Sequence, residues 1–155
     1  MEIKLRPLVE SDALTSYKWR NNPKVWEFTG NRPNCEITPE IETEWIKNVL
    51  NRKNERRYAI LADEKYIGNA YLTDMTETDA EFHIFIGDTE YWGKGVATAT
   101  LKQIAGIAKN ELKLKRIVVE ARKDNISVIN VNKKCGFVET SFNPETNFCQ
   151  MELVL

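Results

Sequence analysis

A single histidine, three cysteines and no long apolar run narrow the field for this 155-residue chain. A membrane helix takes about 20 consecutive apolar residues, and no such stretch is present. Cys35, Cys135 and Cys149 are odd in number and far apart. They form no C-x-x-C pair and have no histidine beside them, which argues against zinc. Reduced thiols and a cytoplasmic location are the simplest expectation. Neither sign of charge dominates: 22 lysines and arginines face 23 aspartates and glutamates. That balance gives no pull toward nucleic acid or an anionic membrane. The start, Met1 to Arg6, lacks the apolar centre of a signal peptide. There is no repeat, low-complexity tract or linker, so residues 1–155 read as one domain able to bury a full core.

What is present reads as alternating strands and helices. Residues 2–6 alternate and end at Pro7, so they form a strand. Ser11 or Asp12 can cap a helix carrying Leu14, Tyr17 and Trp19, which Asn21-Asn22-Pro23 breaks. Val25 to Pro33 is expected to be irregular and aromatic. Thr38-Pro39 opens a second helix with Ile41, Trp45, Ile46, Val49 and Leu50 along one stripe. Arg57–Ala62 and Tyr66–Thr73 are strands joined by the turn Asp63-Glu64-Lys65. After a turn at 76–79, Ala80 to Ile86 is an apolar strand. A helix follows at about 94–112, with Ala97, Leu101, Ile104, Ala108 and Leu112 on one face. Arg116–Ala121 is a strand, and Asp124 or Asn125 caps a short helix that Gly136 ends. Phe137–Phe142 and Asn147–Val154 are the final strands. The fold class is mixed α+β: a twisted sheet of about seven strands with helices on both faces. The strands flanking the 94–112 helix should be parallel, because a long crossover separates them. The last two read as amphipathic edges, through which a homodimer can form.

Between the 80–86 strand and its helix stands Tyr91-Trp92-Gly93-Lys94-Gly95-Val96-Ala97-Thr98. A strand, a glycine turn and a helix start leave several N–H groups without partners, at the positive end of the helix dipole. Such a place accepts an anion, phosphate above all. The spacing is not that of a P-loop, and Thr98 stands where a dinucleotide fingerprint needs its third glycine. An ordinary strand–helix connection accounts for a lone glycine pair equally well.

Together with the element order, three stretches make the chain resemble the GNAT superfamily of acetyl-CoA-dependent N-acetyltransferases. Trp92-Gly93-Lys94-Gly95-Val96-Ala97 is similar to its Arg/Gln-x-x-Gly-x-Gly/Ala turn, with Trp92 in place of the polar first residue. Asp124-Asn125 through Cys135-Gly136-Phe137 resembles its Asn…Gly-Phe helix. Tyr17 to Val25 resembles the Trp-Arg-Asn-x-Pro-x-Val stretch of transferases acting on sugar-nucleotide amines. The resemblance implies acetyl-CoA as cosubstrate and no metal. It also implies transfer to a primary amine, on an amino-sugar nucleotide or other small molecule or on a protein N-terminus. A non-catalytic acyl-CoA-binding regulatory module is the competing reading.

The resemblance also assigns residues. Backbone groups of Trp92, Gly93, Lys94, Gly95, Val96, Ala97 and Thr98 would hold the diphosphate. Ile84, Phe85 and Ile86 would pair with the pantetheine arm and supply an oxyanion donor. Asn125 and Asn132 would lie near that arm. Asn132 stands where many members place a tyrosine to protonate the thiolate. An alkylamine has a pKa of about 10, so a base is needed. Glu120 stands at the position used as base in the ribosomal-protein branch, or it pairs with Arg122 or Arg116. Partial burial there would raise its pKa. Glu81 resembles the histone-type base, or is a solvated strand-end residue. His83 shares a face with Glu81 and Phe85, and imidazole titrates in a range that suits a base. Arg20, Trp26, Phe28 and Tyr71, with Trp19 and Phe148, are candidates to line the acceptor site. Trp19 and Trp45 fit core packing equally well.

Overall fold

Alternation along Ile3–Pro7 gives β1, which pairs antiparallel with β2 (Arg56–Ala62), Ile3 opposite Ala62 and Pro7 opposite Tyr58. The computed structural model describes residues 1–155. The strands run in the order β1-β2-β3-β4-β5-β7-β6 in a seven-stranded mixed sheet. Here β3 is Lys65–Thr73, β4 Asp79–Ile86, β5 Arg116–Arg122, β6 Val138–Asn143 and β7 Phe148–Val154. The chain divides into two compact units.

The first unit comprises Met1–Tyr71 and Ile84–Lys94. A short 3-10 turn, Glu10–Asp12, runs directly into α1 (Ala13–Asn21). Neither Ser11 nor Asp12 caps this helix with its side chain. Asp12 instead accepts from the Val9 N–H at 2.9 Å and takes both terminal nitrogens of Arg6 at 2.9 and 2.8 Å. Leu14 of this helix is exposed. The stretch expected to be irregular forms α2 (Pro23–Thr29): Asn22 Oδ1 caps it, Pro23 fills the first turn, and Gly30 ends it at φ 77°. Thr38 Oγ1 accepts from the Ile41 N–H at 3.2 Å and starts α3 (Pro39–Leu50), as the sequence indicates. Ile46 and Val49 are buried, whereas Ile41, Trp45 and Leu50 lie at the margin of that stripe. Leu8, Ala13, Ile46 and Ala59 form one core cluster with Tyr66 packed against it. Burial holds the Tyr66 phenol protonated well above its usual range, and its hydroxyl donates to Asn69 Oδ1 at 2.6 Å.

The second unit comprises Leu72–His83 and Gly95–Leu155. Its long helix α4 (Val96–Asn110) buries Val96, Thr100, Leu101, Ile104 and Ala108. The apolar face is therefore rotated slightly from the expected one, with Ala97 and Leu112 half-buried. β4 and β5 are parallel, as a helical crossover requires. β7 lies between β5 and β6, antiparallel to both. Of the last two strands only β6 is an edge, and all six of its residues are exposed. Asn125 caps α5 (Ile126–Lys134), accepting from the Val128 N–H, and Gly136 stops it at φ 98°.

Candidate active site

β4 leads into the glycine turn through Gly87, whose lack of a side chain is required: a Cβ would fall 2.0 Å from the Trp19 ring. Asp88 then accepts from the Glu90 N–H in a short 3-10 turn. Trp92 braces the glycine turn. Its indole Nε1–H donates to the Ile86 carbonyl at 2.9 Å, and its ring lies 4.9 Å from that of Phe28. Lys24 Nζ is 5.7 Å from the same ring. Gly93 and Gly95 take φ values of 72° and 81°, and a Cβ on either would meet nothing within 4 Å. The two glycines thus set the backbone and leave open space beside it.

The first hydrogen bond of α4 runs from Ala99 N–H to Gly95 O at 3.2 Å. The N–H groups of Gly93, Lys94, Gly95, Val96, Ala97 and Thr98 have no acceptor within the protein. No acidic side chain occupies the first turn of α4. A 15-residue helix ends here with its positive pole and a row of free donors. These residues fit a diphosphate, because the donors are unspent and the glycine side of the turn is clear.

The ladder between β4 and β5 holds three pairs: Asp79–Arg116, Ala80–Ile117 and Glu81–Val118. The next same-face positions are His83 on β4 and Glu120 on β5. His83 Nε2 lies 3.0 Å from Thr73 Oγ1 and 3.7 Å from Glu81 Oε1, with His83 and Glu81 both about one-third exposed. The structure therefore brings Glu81 and His83 together and adds Thr73, which the sequence did not single out. Glu120 is exposed rather than partly buried. Its expected partners are taken: Arg122 pairs with Asp124 at 3.2 Å, and Arg116 with Asp79 at 2.6 Å and Glu152 at 3.4 Å. The Glu120 carboxylate has no hydrogen-bonding or ionic partner in the chain. It lines a cavity of about 570 Å³ with Phe142, Phe148 and Gln150. Hydrogen bonding to Arg116 holds the Asp79 carboxyl below the ordinary range, and Arg122 does the same to Asp124.

Other expected site residues are occupied differently. Asn132 is buried, and its Nδ2 donates to Met151 Sδ at 3.7 Å. It is a core residue whose amide faces the Met151 sulfur of β7. The Asn125 side-chain oxygen is spent on its cap. Burial raises the Cys135 thiol pKa, and its Sγ lies 4.0 Å from the Thr98 carbonyl. Ile84, Phe85 and Ile86 are half-buried, and Trp92 already occupies the Ile86 carbonyl.

The stretch from Trp19 to Val25 serves the fold at nearly every position. Trp19 is core, tilted against Tyr66 at 4.8 Å. Arg20 Nη1 pairs with buried Glu42 at 2.8 Å, and Ser16 Oγ donates to the same carboxylate at 2.9 Å. Asn21 clasps the backbone of Ile37 with both side-chain atoms. Asn22 and Pro23 start α2, and Val25 is buried. Trp26 and Phe28 are helical rather than in a loop; Arg32 covers Trp26 at 5.1 Å. Tyr71 stacks under Arg57 at 4.4 Å.

A family model described as an acetyltransferase (GNAT) domain matches residues 2–138. Spermidine N(1)-acetyltransferase of Escherichia coli K12 is 29% identical over 137 residues, covering 87% of this chain and 72% of that protein. Acetyltransferase PseH of Campylobacter jejuni is 25% identical over 133 residues, covering 85% and 79%. The fold is that of spermidine N-acetyltransferase from Vibrio cholerae, solved in complex with CoA and spermine. The TM-score is 0.84 at 21% identity, over 98% of this chain and 95% of that one. The chain therefore belongs to the acetyltransferase (GNAT) family, as an acetyl-CoA-dependent N-acetyltransferase.

Proposed function

We propose that this enzyme acetylates a small, positively charged primary amine. The observation that carries the reading is the row of unspent N–H groups from Gly93 to Thr98 at the head of α4. We assign the diphosphate to that row, with Lys94 as a charge-assisted contact and Trp92 as the brace of the turn. Backbone groups of Ile84, Phe85 and Ile86, other than the Ile86 carbonyl, are assigned to the pantetheine arm and the oxyanion. When bound, acetyl-CoA would supply a thioester: a C–N bond would form at its carbonyl carbon, the C–S bond would break, and the departing thiolate would take the second proton that the nitrogen sheds.

The chain's own side chains handle the proton. An alkylammonium of pKa about 10 must lose one proton before it can attack. His83 receives it at Nε2 by way of the Thr73 hydroxyl, which lies 3.0 Å from that nitrogen, and Glu81 Oε1, 3.7 Å from the same nitrogen, stabilises the imidazolium. A base so placed contributes on the order of 10²–10⁴-fold.

Two observations support a small cationic acceptor. The relative at 29% identity over 87% of the chain is a spermidine acetyltransferase. Arg20, expected to line the acceptor site, is paired with Glu42, so the Trp19–Val25 stretch lends no specific support to a sugar nucleotide. A thiol-release assay with spermidine, an amino-sugar nucleotide and an N-terminal peptide tests this. Turnover with spermidine and none with the peptide is expected. Turnover of the peptide alone overturns the reading.

A further inference from the structure

We propose that the cavity walled by Glu120, Phe148 and Gln150 holds a second, unreacting cation of the acceptor, so that the enzyme selects dicationic amines. The proposal rests on the small-amine reading and adds to it which residues choose among such amines.

Charge comes first. Glu81 lies beside His83, and Asp79 and Glu152 share Arg116. Glu139 takes Lys123 at 2.7 and 2.6 Å. Glu120 alone among these carboxylates is unmatched, and it opens onto a cavity of about 570 Å³. A cation there gains a charge-assisted hydrogen bond without breaking an existing one.

The walls suit the same ligand. Phe148 shares a sheet face with Glu120 and Gln150 and is 40% exposed, a large ring left open at the cavity. An aromatic face attracts an ammonium within about 6 Å. Phe142, the register partner of Cys149, lies on the opposite face, where its ring holds the Lys123 ammonium 5.4 Å from its centre. Glu139 pairs with that lysine. Gln150 is the register partner of Glu120, and its Nε2 is engaged with Glu152. The amide group it has left for a ligand is the oxygen, which accepts from an ammonium.

The strands set the two ends of the ligand. His83 and Glu120 are the first same-face residues beyond the last β4–β5 pair, one on each strand. Paired strands lie about 4.8 Å apart, and these two are no longer paired. A short alkyl chain spans that gap, with a neutral nitrogen at His83 and a charged one at Glu120. In this arrangement Glu120 binds the second nitrogen; it does not take the reacting proton.

The test compares putrescine with n-butylamine, which has the same chain length and one nitrogen fewer. In E120Q the ratio of kcat/KM for putrescine to that for butylamine is expected to fall about tenfold or more, carried by KM. F148A should lower the same ratio about threefold. An equal loss on both amines, carried by kcat, would make Glu120 the general base and overturn the proposal. Binding of N,N,N′,N′-tetramethylputrescine, whose protonated tertiary nitrogens keep one N–H each and cannot be acetylated, is measured by calorimetry in parallel. Loss of its binding in E120Q is expected, and unchanged binding overturns the cavity's role. If no amine turns over but binding of this dication still depends on Glu120, the functional reading falls and the cation site stands. Circular dichroism melts confirm that each variant is folded.

Discussion

Glu42 is the residue on which α1 and α3 agree. It is only 1% exposed, and Arg20 and Ser16 satisfy it from the neighbouring helix. Removing one partner of a buried ion pair strands the other, which typically costs a few kcal/mol. Arg20→Ala should therefore destabilise the fold by about 3 kcal/mol in urea titrations. Adding Glu42→Gln to that variant should restore part of the loss, since no buried charge is then left over. An R20A protein as stable as the wild type would show that the pair contributes nothing. Asp79 makes a prediction in pH. Its carboxyl is held below the ordinary range by Arg116, so the charged form stabilises the folded state. That contribution is complete above the unfolded value of about 3.9 and is lost as pH falls below it. The melting deficit of D79N relative to wild type should hold steady near neutrality and shrink in acid. A deficit that grows in acid contradicts the assignment.

Helix starts were the most legible elements, because caps act within a single turn. Thr38-Pro39 and Asn125 stand where the sequence places them. Thr38→Ala should cost about 1 kcal/mol, roughly 2–4 °C in melting temperature. No change in melting would mean that the Ile41 N–H is satisfied by water. α2 was missed because it is a seven-residue helix of aromatics whose stability comes from its Asn22 cap and buried Val25 rather than from an amphipathic stripe. Ser11 and Asp12 misled for a related reason: Arg6, a long-range partner, captured the carboxylate that local rules assign to capping. The same competition emptied the Trp19–Val25 stretch of its expected acceptor role. Contacts at a sequence distance of 10 to 37, such as Thr73–His83 and Arg116–Asp79, have no local signature. Gly68 is another such position: a Cβ there would lie 2.3 Å from the Phe85 carbonyl. Gly68→Ala should force β3 and β4 apart along this stretch and lower the melting temperature by several degrees. Wild-type melting in G68A would show that the two strands can yield.

At the scale of the whole molecule, the strand order, the parallel β4–β5 pair and the family match over residues 2–138 describe one acetyltransferase. Apart from α2, the order of elements and the glycine turn were readable in advance, because both follow from local backbone chemistry. The unpaired state of Glu120 was not readable, because it depends on Arg116 and Arg122 being taken by other carboxylates. The account rests on the N–H groups of Gly93 to Thr98 receiving the diphosphate of acetyl-CoA. Thermal melting with and without the cosubstrate measures this directly, each protein being compared with its own ligand-free form. At a hundred times the dissociation constant, acetyl-CoA should stabilise the wild type by about 2.7 kcal/mol. In Gly95→Glu, where a carboxylate fills the open side of the turn, that gain should vanish. A wild type that does not shift, or a G95E protein that shifts as much as the wild type, would contradict the account.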